Sequence, residues 1–285
     1  MTFNYLALKY INKVKNKITD ELPTSLDIGS QTVNFNLQLY KELVNRIEIK
    51  SDNQLKIIRK MLHPKEWNGW RPTANDVVLS LGYHEYESID LNGAYNSYKF
   101  DLNLDIQTFY DFHKSYDLVI NNGTGEHVFN QFSLYKNIHN LTKKNGIMLN
   151  IMPFLGWVNH GFYNFNPIFY ADLAAANNYE MIKISFANNN GDEMSLKRNF
   201  NSVFEHIKPR HESYFKDFLN SVFKEIGENI FLVAVYRKLT NDVFHIPLQG
   251  KYLADVKNDE NNYLNQGDGS AKASGQIGIL RNFRV

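Results

Sequence analysis

The sequence predicts an α/β fold, and three observations carry that reading. Short apolar runs rich in β-branched residues recur along the chain; Asp117–Ile120, inside YDLVINNGTGEHV, is the clearest. Stretches with helical apolar spacing alternate with these runs, as β-α-β connections require. The runs also lack strict in/out alternation, the mark of strands covered on both faces in a parallel sheet. Ligands of open α/β sheets bind beyond the carboxyl ends of the strands. The polar loop from Asn121 to His127 is therefore the first place to expect chemistry; it carries Asn122, Gly123, Thr124, Glu126 and His127.

Composition sets the outer bounds. A chain of 285 residues with 43% hydrophobic and 21% charged residues is long enough, and apolar enough, for a sizeable core. Its net charge of +1 gives no electrostatic case for a nucleic-acid partner. Cysteine is absent, which excludes disulfides and thiolate metal sites and suits a reducing, cytoplasmic setting. No apolar run approaches the ~18 residues of a membrane span, and the N-terminus lacks the pattern of a signal peptide.

In chain order, residues 3–19 form one apolar stripe (Phe3, Leu6, Leu8, Ile11, Val14, Ile18) with lysines between, which predicts a helix packed on the sheet. After Pro23, SLDIGSQ reads as a short strand opening into a glycine turn, where a missing side chain lets backbone approach a ligand. Gln31 stands where a second glycine is common. Residues 36–62 are helical by pattern with a break near Ser51–Asp52, and HPKEWNGWRP, residues 63–72, is an aromatic insertion that suits either a lid or a packed loop. Residues 74–81 read as a helix stopped by Gly82.

The next strand, Tyr86–Leu91, ends on Asp90, an acid placed to bind ribose hydroxyls. Its separation from Asp27 far exceeds the roughly 20 residues of a simple unit, so residues 36–81 are expected to loop out beside the sheet. Phe100–Asn103 reads as a third strand end carrying Asp101. Beyond the central strand and its helix, Gly146–Met152 is a strand that Pro153 should halt. Phe154–Pro167 then forms a second polar-aromatic loop. A helix over 168–177, a strand over 180–186, a helix over 210–226 and a strongly β-forming Asn229–Arg237 complete the pattern. Residues 251–285 read as a flexible tail, rich in Gly, Ser and Asn.

Together, LDIGSQ, ESIDLNG, the FDLN strand end, YDLVINNGTGEHV, the KKNG turn before GIMLN, and HGFYNFNP resemble a class I S-adenosylmethionine-dependent methyltransferase over roughly residues 22–240. The resemblance implies a Rossmann-like three-layer sandwich with a seven-stranded, mostly parallel sheet, its last strand antiparallel at one edge, built as a single domain over residues 1–250. It implies S-adenosyl-L-methionine as cofactor, laid over Asp27, Gly29, Ser30 and Gln31. The ribose would lie on Asp90 beside Leu91, the adenine near Asp101 and Leu102, and the amino-acid portion by Asn122 and Gly123.

Methyl transfer is an in-line displacement at a sulfonium carbon, so the protein must mainly align the acceptor. A hydroxyl or ammonium acceptor also needs a base, for which His127 and Glu126 are the candidates. Adjacent residues point in different directions, so these two are expected to do different jobs. Thr124, His160, Tyr163 and Asn164 are the candidate contacts to a small polar substrate, such as a sugar or glycan precursor. No H-E-x-x-H or similar spacing exists, and no metal is expected. Two other readings compete: an NAD-dependent nucleotide-sugar enzyme, which the first turn's missing glycines disfavour, and a nucleotide-binding protein of the same fold without catalysis, which Gln31 favours.

Overall fold

The computed structural model describes residues 2–34, 36–195 and 229–249. Its strands are β1 (Thr2–Phe3), β2 (Thr24–Asp27), β3 (Thr32–Val33), β4 (Glu85–Ser88), β5 (Tyr116–Asn122), β6 (Thr142–Leu155), β7 (Tyr179–Ala187), β8 (Glu193–Ser195) and β9 (Ile230–Lys238). The helices are α1 (Tyr5–Lys15), α2 (Leu37–Val44), α3 (Asp52–Leu62), α4 (Ala74–Ser80), α5 (Ile106–Tyr110), α6 (Gln131–Leu141) and α7 (Pro167–Ala176). Among the described residues no helix is long and apolar enough to cross a membrane.

Seven strands form one sheet in the order β4-β2-β5-β6-β9-β7-β8. β4, β2, β5 and β6 pair in parallel, and β9 runs antiparallel to both β6 and β7. The sheet is thus mostly parallel with an antiparallel last strand, as expected. That strand lies between β6 and β7, however, and not at the edge. Its composition explains the position: Phe231, Val233 and Val235 face one layer while Leu232, Ala234 and Tyr236 face the other, all buried. A strand apolar on both sides gains most where both faces are covered.

Alternating strand residues feed two cores. Val119, Met148, Met152 and Leu232 pack with α5, α6 and α7, through Ile106, Leu134, Ile138 and Leu173. Leu118, Ile120, Ile147, Leu149 and Val233 pack against α1 to α4 on the opposite face. The result is the three-layer sandwich. The expectation that residues 36–81 loop out beside the sheet is corrected here. Tyr40, Leu43, Ile58, Met61, Val77 and Val78 belong to the same core as α1, so this segment is a structural layer. Residues 63–72 fold back on α3: the Trp67 indole donates to the Lys60 carbonyl at 2.9 Å, and Lys60 lies over the Trp70 ring at 3.8 Å.

Two further strand expectations need correction. Phe100–Asn103 is not a strand; the nearest pairing is a single parallel bridge between Ile89 and Tyr98, just before it. Pro153 does not end β6, which continues to Leu155. β5 has stopped opposite Ile151, so the missing proline N–H leaves no bond unmade on that side, while β9 still pairs at Phe231. The 210–226 helix and the 251–285 tail lie outside the described residues.

Candidate functional site

Four strand ends meet at one end of the sheet. β2 runs into Ile28–Gln31, whose Ile28 N–H continues the ladder to the Ile120 carbonyl at 2.9 Å. The neighbouring strand continues likewise, Ile89 N–H donating to the Asp27 carbonyl at 2.9 Å, which brings Asp90 beside the first turn. Ser30 fastens the two: its N–H and hydroxyl donate to Asp90 Oδ2 at 3.1 and 2.8 Å. Burial pushes the Asp90 carboxyl up, but hydrogen bonds from the Asn92 N–H, the Ser30 hydroxyl and the Ser30 N–H outweigh it and hold the group below its ordinary range.

The loop after β5 closes on the same turn. Thr124, a candidate substrate contact, sits on Gly29, where a Cβ would come within 2.1 Å of its Oγ1. Glycine is required here by close approach. Gln31, 3% exposed, lies under this contact, and its Nε2 donates to the Asn122 carbonyl at 3.0 Å. Gly123 takes a positive φ of 64° and donates its N–H to the Ile151 carbonyl at 3.0 Å.

Two buried acceptors in this turn lack a donor: Asp27 Oδ1 and Gln31 Oε1. Asp27 is wholly buried, and its Oδ2 accepts from the Tyr86 hydroxyl at 3.2 Å. Burial raises its carboxyl well above the ordinary value, and the Tyr86 bond offsets this only in part. Asp101 lies one turn beyond Tyr98, whose carbonyl accepts the Asp90 N–H at 2.9 Å. Its Oδ1 is engaged by the Asn103 N–H and side-chain amide. Of the flanking candidates, Leu102 is buried in the core at 7% exposure, and Leu91 is 65% exposed beside Asp90.

The other side of the site is built from a single 3-10 turn, Gly125–His127, and the loop after β6. Glu126 has no exposed surface, and neither carboxylate oxygen has a hydrogen-bond partner. Its Oε1 lies 3.3 Å from His160 Nε2 and 3.7 Å from His127 Nε2. Burial pushes the Glu126 carboxyl up to about 7 and lowers both imidazoles. The two histidine rings stand 5.0 Å apart, and Trp157 packs on His160 at the same separation. Glu126 and His127 were expected to point apart; the tight turn directs both toward His160.

Backbone contacts fix this arrangement. The Glu126 carbonyl accepts from the Phe162 N–H at 2.8 Å, and the Tyr163 hydroxyl donates to the Phe129 carbonyl at 2.9 Å. A Cβ on Gly161 would come within 2.7 Å of Glu126 Cγ, so the glycine lets the loop lie against the buried acid. Tyr163 and Asn164 line a separate cavity of about 360 Å³ with Gln131, Asn166 and Phe169. Sequence reasoning missed Tyr86, Trp157 and Gly161. The glycine directly after His160 was the available signal for the last.

The class defined by fold and site is a Rossmann-like α/β protein whose strand-end loops converge on unpartnered buried acceptors. No family model and no curated protein matches the chain. Several solved structures resemble it. One is an S-adenosylmethionine-dependent methyltransferase from Archaeoglobus fulgidus, 13% identical over 82% of this chain and 93% of that one, with a TM-score of 0.42. Another is an O-methyltransferase of a polyketide multienzyme from Brevibacillus brevis, in complex with S-adenosyl-L-homocysteine (12%, 83% and 73%, TM-score 0.41). A third is the cyclopropane synthase MmaA2 from Mycobacterium tuberculosis (13%, 81% and 84%, TM-score 0.33). Likenesses of this extent assign no chemistry, which rests on the chain's own residues.

Proposed function

We propose that the protein transfers a methyl group from S-adenosyl-L-methionine to an oxygen or nitrogen of a small polar metabolite. The observation that carries this reading is the pair of donor-less buried acceptors, Asp27 Oδ1 and Gln31 Oε1, flanking the close-approach turn at Gly29. Buried acceptors without donors are costly, and the ammonium of the cofactor's amino-acid portion, with three N–H donors, would satisfy both. Asp90 keeps acceptor capacity for a ribose hydroxyl beyond its bonds to Ser30 and Asn92. Asp101 offers its second oxygen to an adenine amino group. Leu91 and Leu102 supply the apolar flanks, and Asn122 and Gly123 the backbone beside the amino-acid portion.

The cofactor supplies an electrophilic methyl carbon whose bond to sulfur breaks as the acceptor's bond to carbon forms. The protein's part is alignment and proton removal. Glu126 Oε2, facing no donor in a dry setting, receives the acceptor's proton, and His127 and His160 orient the acceptor at the mouth. The neighbouring cavity lined by Tyr163, Asn164, Asn166 and Phe169 offers an amide-and-aromatic surface to the rest of a hydroxylated substrate, such as a sugar or glycan precursor, whose reacting atom would lie at Glu126. The absence of cysteine suits such work in the cytoplasm.

Calorimetric titration with S-adenosyl-L-methionine tests the reading. Saturable binding that is weakened in Asp90→Ala is expected. No heat and no thermal shift over a wide concentration range would remove the proposal.

A further inference from the structure

The Glu126 cluster has a property that proton transfer does not use. One ligand atom each from Glu126, His127 and His160 lies within 4.8 Å of the other two. The atom shared by the closest approaches is Oε1, which leaves Oε2 on the other side of the carboxylate. Oε1 and His160 Nε2 are 3.3 Å apart, yet neither is aligned for a hydrogen bond and both are buried without a partner. Two such atoms facing each other at this distance are spaced as two ligands of one cation would be. Ligands bound tetrahedrally at 2.0–2.1 Å stand about 3.3 Å apart, which is this spacing.

We infer that Glu126 Oε1, His127 Nε2 and His160 Nε2 form a binding site for one divalent transition-metal ion. Two imidazoles and one carboxylate favour a borderline ion such as Zn2+, Co2+ or Fe2+ over Mg2+ or Ca2+, which prefer oxygen ligands throughout. The third contact closes easily: His127 is 46% exposed, so its ring can rotate inward without unpacking a core. Three protein ligands leave a coordination position open. There a hydroxyl of the acceptor would bind and lose its proton more readily, with Oε2 free to take it. No local ligand spacing announces the site, because His160 comes from a different loop than Glu126 and His127. The site stands on cluster geometry and does not depend on the identity of the methyl donor.

The test is titration of Zn2+ into the chelator-treated full chain by calorimetry, and of Co2+ by visible spectroscopy. One ion per chain is expected, with ligand-field bands of a four- or five-coordinate Co2+ site. Glu126→Gln, which keeps the shape of the side chain, and His160→Ala should each weaken binding at least about tenfold while circular dichroism stays unchanged. Binding that survives both substitutions would place the ion on other histidines among the nine and overturn the inference, as would no binding at all. S-adenosyl-L-methionine titrated in the presence of chelator separates the two proposals. Cofactor binding without metal binding removes only the metal site, and metal binding without cofactor binding removes only the methyltransferase reading.

Discussion

Ser30 grips Asp90 through two donors, N–H and hydroxyl, on the same carboxylate oxygen. This ties the first glycine turn to the acid of the adjacent strand before any ligand arrives. The acid is held ionised and oriented, so under the proposed function a ribose would meet a preformed acceptor with no ordering entropy spent on it.

Asp90→Ala should therefore weaken S-adenosyl-L-methionine binding by about 10- to 100-fold, the range of a hydrogen bond to a charged group at about 1.5–3 kcal/mol. Ser30→Ala should weaken it less, since one donor remains. Calorimetry on both variants checks the order, and equal losses would contradict the preorganised role of the serine.

Gly29→Ala should be damaging through Thr124, because the new methyl would lie 2.1 Å from its Oγ1. Overpacking of this kind costs about 1–3 kcal/mol. Adding Thr124→Ala removes the clashing oxygen and should recover most of the loss, as a double-mutant cycle by thermal unfolding would show. Additive losses would mean that the two residues do not meet.

Asp27 gives a pH prediction with a definite sign. Its folded-state pKa lies above the ordinary 3.8, so the folded chain holds the proton more tightly than the unfolded one. The group is harmless below that value and costs stability as pH rises above it. Asp27→Asn should raise the melting temperature of the ligand-free protein at neutral pH, and the gain should shrink as pH falls toward 3.8. The same substitution should weaken cofactor binding.

Asp117 behaves oppositely. Its Oδ2 accepts from the Thr24 N–H, the Thr24 hydroxyl and Lys143 Nζ at 2.8–2.9 Å. Burial alone would raise its pKa, but Lys143 and the two Thr24 bonds outweigh burial and lower it. Its contribution is present above the ordinary 3.8 and is lost as pH falls through the depressed folded value. Asp117→Ala should cost about 1–3 kcal/mol at neutral pH, with the gap to wild type closing in acid. A pH-independent gap would point to packing instead of charge.

Much of this was legible in the residues. Strand runs and helical stripes depend on local periodicity, so β5, β9, α1 and the α2–α3 break were open to reading. The acids at Asp27 and Asp90 were visible because strand ends carry ligands in sheets of this kind. The continuation of β6 past Pro153 was not, because whether a proline costs a bond depends on which neighbour is still present. The seating of Thr124 on Gly29 was hidden for the same reason: two loops far apart in sequence meet only after the strands have paired.

By itself, the sequence determined the alternation of elements and the strand ends that carry polar loops, since these follow from hydrophobic period and turn chemistry within short windows. Only the tertiary structure decided that the last strand lies inside the sheet, that residues 36–81 form part of a layer, and that Glu126 is buried between two histidines from different loops. The physical reason is that burial and partnership belong to pairs of segments brought together by packing, and a carboxylate is charged, paired or orphaned according to neighbours that its own stretch of chain does not contain.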